Sequence, residues 1–545
     1  MKRITVEEAI ARAALEAGIS VAAGYPGSPS TKTMEALSRY AGPDGIHAEW
    51  SSNEKAALDV ALGASLGGAR SMLLTKSVGM NVALDALMCA NMTGIDAACV
   101  ILLGDDPGGW MSQNEQDTRW LALLSELPLL EPPTPEMAPD TVHAAVDLSE
   151  QFRLPVFLRI TRSLAEAKLD ADDAPPTAPP PSQPPPFQRE HMKWILMTAN
   201  AVDRHEQLVA KLDQVRSVFA TSPLNASSRG PDVGVIACGF PYTKLTDVLG
   251  GRGAEHFAVL RLGTIHPLPD ALLLEFLTGL KHVLVLEENE PIVETQVQAL
   301  VGRNGLGVAC HGKTTGEIPH AGELYRGQIA TALTGIRKDF APASDFPPSA
   351  EDKETPSSRG FCDGCPHAAT LTALRAAIDE ATLPEQPIVC GDPGCIVRGT
   401  WPPFRMLDIK FAMGCSIGLA KGVAHARPGH PVIALVGDSS FFHTGINNLI
   451  NIAHNRAPIT IVVTHNATTA LTGRQTNPGS DTDLMGTSRE PVVIEEIVKA
   501  CGIDRVTTID PHDTEDAKDR LLEALQSGEL SVVVSRAPCQ RLAEA

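Results

Sequence analysis

Short runs of aliphatic and β-branched residues recur along this 545-residue chain, at 71–75, 233–237, 283–286, 432–436 and 460–464, each followed by a longer amphipathic stretch. An apolar run without alternation suits a strand buried on both faces, and a helix-length segment after it leaves room for a parallel crossover. The pattern predicts an α/β protein built from parallel sheets covered by helices on both sides. Sheets of this kind bind ligands at the carboxyl ends of their strands. The residues that directly follow each run are therefore the first place to look for chemistry.

The chain is too long for one core. Residues 174–186 read Ala-Pro-Pro-Thr-Ala-Pro-Pro-Pro-Ser-Gln-Pro-Pro-Pro, which cannot sustain a helix ladder and is expected to be an extended linker. A second polar, proline-containing stretch at 341–358 marks another junction. Three domains follow, 1–173, 190–340 and 359–545, with 174–189 and 341–358 as linkers. No internal repeat is visible.

A formal net charge of -20 argues against non-specific binding of nucleic acid, whose phosphates this surface would repel. The N-terminus carries acids where a secretory signal would have an apolar core, and no apolar run reaches membrane-spanning length. A cytoplasmic protein without a membrane partner is expected. Eleven cysteines in a reducing compartment point to metal or redox chemistry in preference to a disulfide framework.

After the run at 432–436 comes Gly437-Asp438-Ser439-Ser440-Phe441-Phe442, and after that at 460–464 comes His465-Asn466-Ala467-Thr468. Asp438 and Asn466 are 28 positions apart. A carboxylate and an amide oxygen at the ends of neighbouring parallel strands can meet, and hard oxygen ligands there suit Mg2+ bridging a diphosphate. A Gly-Asp pair after a strand can also be a mere turn. The spacing resembles the thiamine-diphosphate motif, by which Asp438 and Asn466 take the side-chain ligand places for Mg2+ and Thr468 the backbone-carbonyl place. Gly437, Ser439 and Gly473 then border the cofactor, with Ser439 standing where the general motif has Gly.

Thiamine diphosphate needs a carboxylic acid beside its aminopyrimidine ring, and that acid must come from a separate domain. The candidate is Glu54, in Ser51-Ser52-Asn53-Glu54-Lys55-Ala56-Ala57 at the head of a small-residue helix over 58–68. An acid there is also favourable for the helix dipole alone. Upstream, Gly24-Tyr25-Pro26-Gly27-Ser28-Pro29-Ser30-Thr31 is rich in hydroxyls and backbone donors. Such a turn can cradle a substrate carboxylate or simply cap the next helix. Cys362-Asp363-Gly364-Cys365, with Cys395 and Cys539, is compatible with a zinc site, an iron-sulfur cluster or buried thiols.

The turn at 25–31, Ser52-Asn53-Glu54-Lys55, Lys76-Ser77-Val78-Gly79-Met80-Asn81, Gly104-Asp105-Asp106-Pro107-Gly108, Phe441-Phe442-His443-Thr444-Gly445 and Thr472-Gly473-Arg474-Gln475 together resemble the α subunits of the indolepyruvate ferredoxin oxidoreductase family, within the wider 2-oxoacid:ferredoxin oxidoreductases. The similarity covers nearly the whole chain. It implies two thiamine-diphosphate-binding-type sheet domains flanking a transketolase C-terminal-like domain, whose role is packing and subunit contact. It implies Glu54 as the pyrimidine-activating acid and Ser28, with Thr31, against the substrate carboxylate. Lys76 and Asn81 are placed near the cofactor without definite roles. Cys362, Cys365, Cys395 and Cys539 match the ligands of a proximal [4Fe-4S] cluster, leaving Cys390 and Cys415 as buried thiols.

The activity implied is oxidative decarboxylation of an arylpyruvate such as indolepyruvate, with coenzyme A taking the acyl group, in an α2β2 assembly with a β subunit. The usual α subunit ends in a ferredoxin-like domain with two cysteine-rich cluster motifs, whereas this sequence stops at Ala545 without one. Electrons are then expected to leave through the proximal cluster to a separate ferredoxin or another acceptor. The alternatives are a non-oxidative decarboxylase or carboligase, and a non-catalytic partner subunit.

Overall fold

The computed structural model describes residues 2–42, 45–172, 176, 187, 189–190, 192–251, 253–347 and 360–542. The linker expected at 174–189 lies almost wholly outside the described residues, as do positions 348–358 of the second one. The chain divides into two compact units, Met1–Ala48 with Glu54–Lys353, and Glu49–Asn53 with Glu354–Ala545.

The first unit holds two large sheets and a two-stranded antiparallel pair, Lys2–Thr5 with Lys168–Ala171. One large sheet has seven strands in the order Thr264–His266, Leu129–Leu130, Val156–Thr161, Cys99–Asp105, Ser71–Lys76, Val21–Gly24 and His47–Trp50. The pairings from Leu129–Leu130 through Val21–Gly24 are parallel. Cys99–Asp105 and Val156–Thr161 are buried along their whole length, including the charged Asp105 and Arg159. Thr264–His266 adds an antiparallel edge from sequence well beyond the first 173 residues. The other sheet is ordered Ala309–His311, His282–Leu286, Val233–Cys238, Ala258–Leu262 and Ala226–Ser228, parallel except for the last strand.

Buried charges join the strand ends of these two sheets. Arg159 donates from Nε to Asp105 Oδ2 at 2.6 Å, from Nη1 to Glu131 Oε1 at 2.7 Å and from Nη2 to Asn289 Oδ1 at 3.1 Å. Arg119 donates to Asp117 Oδ2 and Glu287 Oε2, both at 2.6 Å, and to the carbonyls of Glu288 and Glu290. Burial pushes the Asp117 carboxyl up, but the Arg119 and Arg159 guanidiniums outweigh it and hold the group below its ordinary value.

The second unit is one six-stranded, all-parallel sheet in the order Ile409–Lys410, Ile388–Gly391, Val432–Gly437, Thr460–His465, Ser531–Arg536 and Val506–Ile509. Side chains alternate across a strand, so the apolar run at 432–436 feeds two cores. Val432, Ala434 and Val436 pack with Ile417, Leu449 and Val463, while Ile433 and Leu435 pack with Leu371, Leu374 and Val462. From Ile388–Gly391 the chain first adds a strand on one side and then returns to Val432–Gly437 on the other. The crevice at that reversal is where such sheets hold ligands. Among the described residues no helix is long and apolar enough to cross a membrane.

Candidate functional site

Parallel pairing of Gly437 with Thr464 brings the next residues of both strands to one edge. There Asp438 Oδ2 accepts from the Asn466 backbone N–H at 3.2 Å, and Asp438 Oδ1 from that of Ser439 at 2.7 Å. Among the described residues no Lys or Arg side chain pairs with Asp438, although only 2% of it is exposed. Burial pushes its carboxyl above the usual range, with the adjacent His465 and backbone N–H groups pulling it back. A carboxylate so placed fits a cation that the protein's own side chains do not provide, and Asp438, Asn466 and the Thr468 carbonyl are the oxygens that would hold Mg2+ there.

The loop after Asn466 is tied down by side chains. Ser439 Oγ meets Thr469 Oγ1 at 2.9 Å and accepts from Asn477 Nδ2 at 3.2 Å. Thr468 Oγ1 donates to the Gln475 carbonyl at 3.1 Å, and Ser480 Oγ to that of Ala467 at 2.7 Å. Gly473 takes a φ of 134°, a backbone region that side chains disfavour, where the loop folds back onto Gln475.

Three further polar residues at this edge were not singled out by the sequence. Asp392, in Gly391-Asp392 after the strand Ile388–Gly391, accepts from the backbone N–H groups of Gly414 and Ser416, both at 3.0 Å. Burial pushes it up to about 6. The same Gly-Asp signature after an apolar strand could have flagged it. His367 lies on the first turn of the helix Pro366–Glu380, and its Nε2 is 3.3 Å from Asn466 Nδ2. Burial brings this imidazole down to about 4. His465 keeps a buried Nε2 with no hydrogen-bond partner among the described residues.

In the first unit, Glu54 opens the helix Glu54–Leu66 and is 5% exposed. A Cβ on Gly79 would run into the Glu54 carboxylate and Thr75 Oγ1, so the glycine in the helix Ser77–Thr93 makes room for the acid. Lys76, just before that helix, donates to the Met111 carbonyl at 3.3 Å. Burial lowers its pKa while Asp106 and Glu54 raise it. Asn81 Nδ2 donates to Gln116 Oε1 at 3.0 Å. Ser28 is half-buried in the turn, and the Thr31 hydroxyl is already used, accepting from the Gly27 N–H at 2.8 Å.

All eleven cysteines are free thiols. Cys362 and Cys365 precede the helix Pro366–Glu380, Cys395 opens the 3-10 helix Cys395–Thr400, and Cys539 follows the strand Ser531–Arg536. Burial pushes Cys395 up to about 11, with Arg398 opposing and Cys365, Cys539 and Cys362 adding to the rise. Cys365 is raised by burial and by Cys362 and Cys539. Cys365 and Cys395 thus share an electrostatic environment with Cys362 and Cys539. Among the described residues no three His, Cys, Asp or Glu side chains converge as a single metal ion requires. An all-cysteine donor set is one that zinc and iron-sulfur clusters both use. Cys390 and Cys415 stand apart beside Asp408 and Asp392, pushed up by burial to about 12 and about 11.

Residues 12–176 match the family model for the pyruvate flavodoxin/ferredoxin oxidoreductase, thiamine diphosphate-binding domain, and residues 393–535 match that for the C-terminal TPP-binding domain of thiamine pyrophosphate enzymes. Fold and domains together define a thiamine-diphosphate-binding subunit of the 2-oxoacid oxidoreductase class. Indolepyruvate oxidoreductase subunit IorA of Methanothermobacter marburgensis is 37% identical over 538 residues, covering 98% of this chain and 86% of that protein. IorA of Pyrococcus horikoshii is 35% identical over 557 residues, covering 98% and 84%. The chain belongs to the IorA family. The solved 2-oxoglutarate:ferredoxin oxidoreductase from Magnetococcus marinus aligns at 18% identity with a TM-score of 0.46, over 57% of this chain and 62% of that one.

Proposed function

We propose that this chain is the catalytic subunit of an arylpyruvate oxidoreductase, converting indolepyruvate or a close relative, with coenzyme A, to acyl-CoA and carbon dioxide. Two electrons per turnover go to ferredoxin or another acceptor. A β subunit completes the enzyme as an α2β2 assembly. The observation that carries the oxidative reading is the hydrogen bond from the Cys539 N–H to the Asn466 carbonyl, at 3.2 Å. It makes the thiol-bearing segment continuous with the diphosphate edge, which suits electron transfer out of that edge.

When bound, thiamine diphosphate supplies a nucleophilic carbon for the 2-oxo group and an electron sink for decarboxylation. The chain's own residues bind and orient. Asp438, Asn466 and the Thr468 carbonyl would hold Mg2+ for the diphosphate, with Gly437, Ser439 and Gly473 bordering the cofactor. Glu54 holds a proton at its carboxyl for the aminopyrimidine ring. Ser28 offers its hydroxyl to the substrate carboxylate, and Thr31 shapes the turn that presents it. Cys362, Cys365, Cys395 and Cys539 would hold a [4Fe-4S] cluster, which would supply one-electron redox chemistry beside the cofactor.

The test is anaerobic turnover of the chain with its β subunit, indolepyruvate, coenzyme A and an oxidised ferredoxin. Acyl-CoA formed together with two reduced ferredoxins is the expected result. Free aldehyde without acceptor reduction would overturn it in favour of a non-oxidative decarboxylase. Absence of thiamine diphosphate binding in calorimetry with Mg2+ and β subunit present would make the chain a non-catalytic partner. In the same preparation, Glu54→Gln should bind cofactor yet slow proton exchange at the thiazolium carbon by roughly 10²–10⁴-fold.

A further inference from the structure

The backbone of Asn466 is fixed on both sides, its N–H donating to Asp438 and its carbonyl accepting from Cys539. What remains free is the side-chain amide, whose two ends have nearly the same shape and opposite chemistry. An amide oxygen can ligate a metal ion, and an NH2 cannot. Turning the amide by half a rotation would exchange one for the other at almost no steric cost. A residue that ligates through Oδ1 therefore needs something to choose between the two orientations.

We propose that His367 makes this choice: its Nε2 accepts from Asn466 Nδ2 and so presents Oδ1 to the metal. This rests on the reading of Asn466 as a ligand and adds a positioning residue to it. The contact joins groups 99 positions apart at 3.3 Å. The helix that carries the ring is held. One helical turn on, Thr370 Oγ1 meets Ser535 Oγ at 2.7 Å, which pins the same helix face to the strand Ser531–Arg536. With the ring 6% exposed, water is not a competing acceptor in bulk. Cys365 lies two residues before His367, so one stretch of chain carries both a thiol and the ring that orients the amide.

Glutamine places an acceptor oxygen near the position of Nε2, asparagine places it near Nδ1, and phenylalanine keeps the ring without any acceptor. Mg2+ affinity is read as the Mg2+ dependence of thiamine diphosphate binding to the full chain with its β subunit, by calorimetry and without turnover. His367→Gln is expected within about threefold of the native protein, and His367→Asn and His367→Phe weaker by about 10–100-fold. Melting temperature and acid-labile sulfide are measured on each variant. Weakening confined to variants that have also lost sulfide, equal affinity in all, or His367→Gln as weak as His367→Asn would each overturn the proposal. If His367→Phe does not fold, the Gln and Asn pair decides alone. Asn466→Ala separates the two levels. Unchanged Mg2+ affinity there removes Asn466 from the ligand set. Lost affinity there with native affinity in His367→Asn removes only the positioning role.

Discussion

Two sets of buried acids sit at sheet edges in this protein, and they are treated in opposite ways. In the first unit, Asp105, Asp117, Glu131 and Glu287 are each paired with Arg119 or Arg159, in contacts of 2.6–2.7 Å. In the second unit, Asp438 and Asp392 accept backbone N–H groups, and burial pushes both upward. A buried ion is costly unless it is paired, so the first set is a closed lock between two sheets. The second set keeps charge available for something the chain itself does not supply.

The sharpest way to break this comparison is Arg159→Met, which leaves Asp105 and Glu131 without their guanidinium. Stability should fall by about 3–5 kcal/mol, as for one partner removed from a buried pair. Chemical denaturation would give the same loss with and without thiamine diphosphate. A loss under about 1 kcal/mol would mean that the lock is not closed.

Asp438→Ala should show the reverse profile. Affinity for thiamine diphosphate with Mg2+ drops at least about 100-fold, roughly 3 kcal/mol, while the cofactor-free protein keeps its denaturation midpoint. A matching fall in cofactor-free stability would place Asp438 with the structural acids.

Asp392 is smaller and pH-dependent. Its carboxyl is raised from 3.8 to about 6, so its stabilising contribution is complete below pH 3.8 and is lost as pH rises through 6. Asp392→Asn should remove that decline, a difference of about 2–3 kcal/mol between pH 4 and pH 7. Identical pH profiles for the two proteins would contradict the shift.

Glu7 lies between the two classes, buried with Lys32 at 3.7 Å and raised from 4.5 to about 7. The sign is the same, with stability lost between pH 4.5 and 7. Partial solvent screening limits the effect to about 1 kcal/mol. Glu7→Gln should therefore stabilise slightly at pH 8 and change nothing at pH 4.

Much of the second unit was legible in sequence because its strands are buried on both faces. Unbroken apolar runs at 432–436 and 460–464 mark their own ends, and the residues after them fall at the edge where ligands bind. What the sequence could not show were partnerships made at long range. Arg119 meets Glu287 across 168 positions, and nothing local distinguishes that arginine from a surface one. Thr264–His266 is a short antiparallel edge whose pairing depends on tertiary context and not on pattern. Nothing local marks His367 beside the two cysteines that precede it, since its ring sits on a helix and meets a residue 99 positions further along the chain.

The register of Gly437 against Thr464 also sets where this chain can tolerate change in length. Adding one residue inside either strand would reverse the facing of every side chain beyond it, exchange the two cores and send Asp438 and Asn466 to opposite sides of the sheet. An insertion between 455 and 460, in the turn joining helix to strand, leaves both strand ends where they are. The 28-residue interval is thus elastic in its middle and rigid at its two ends. Variation in length should collect in the connection and be absent from the strands.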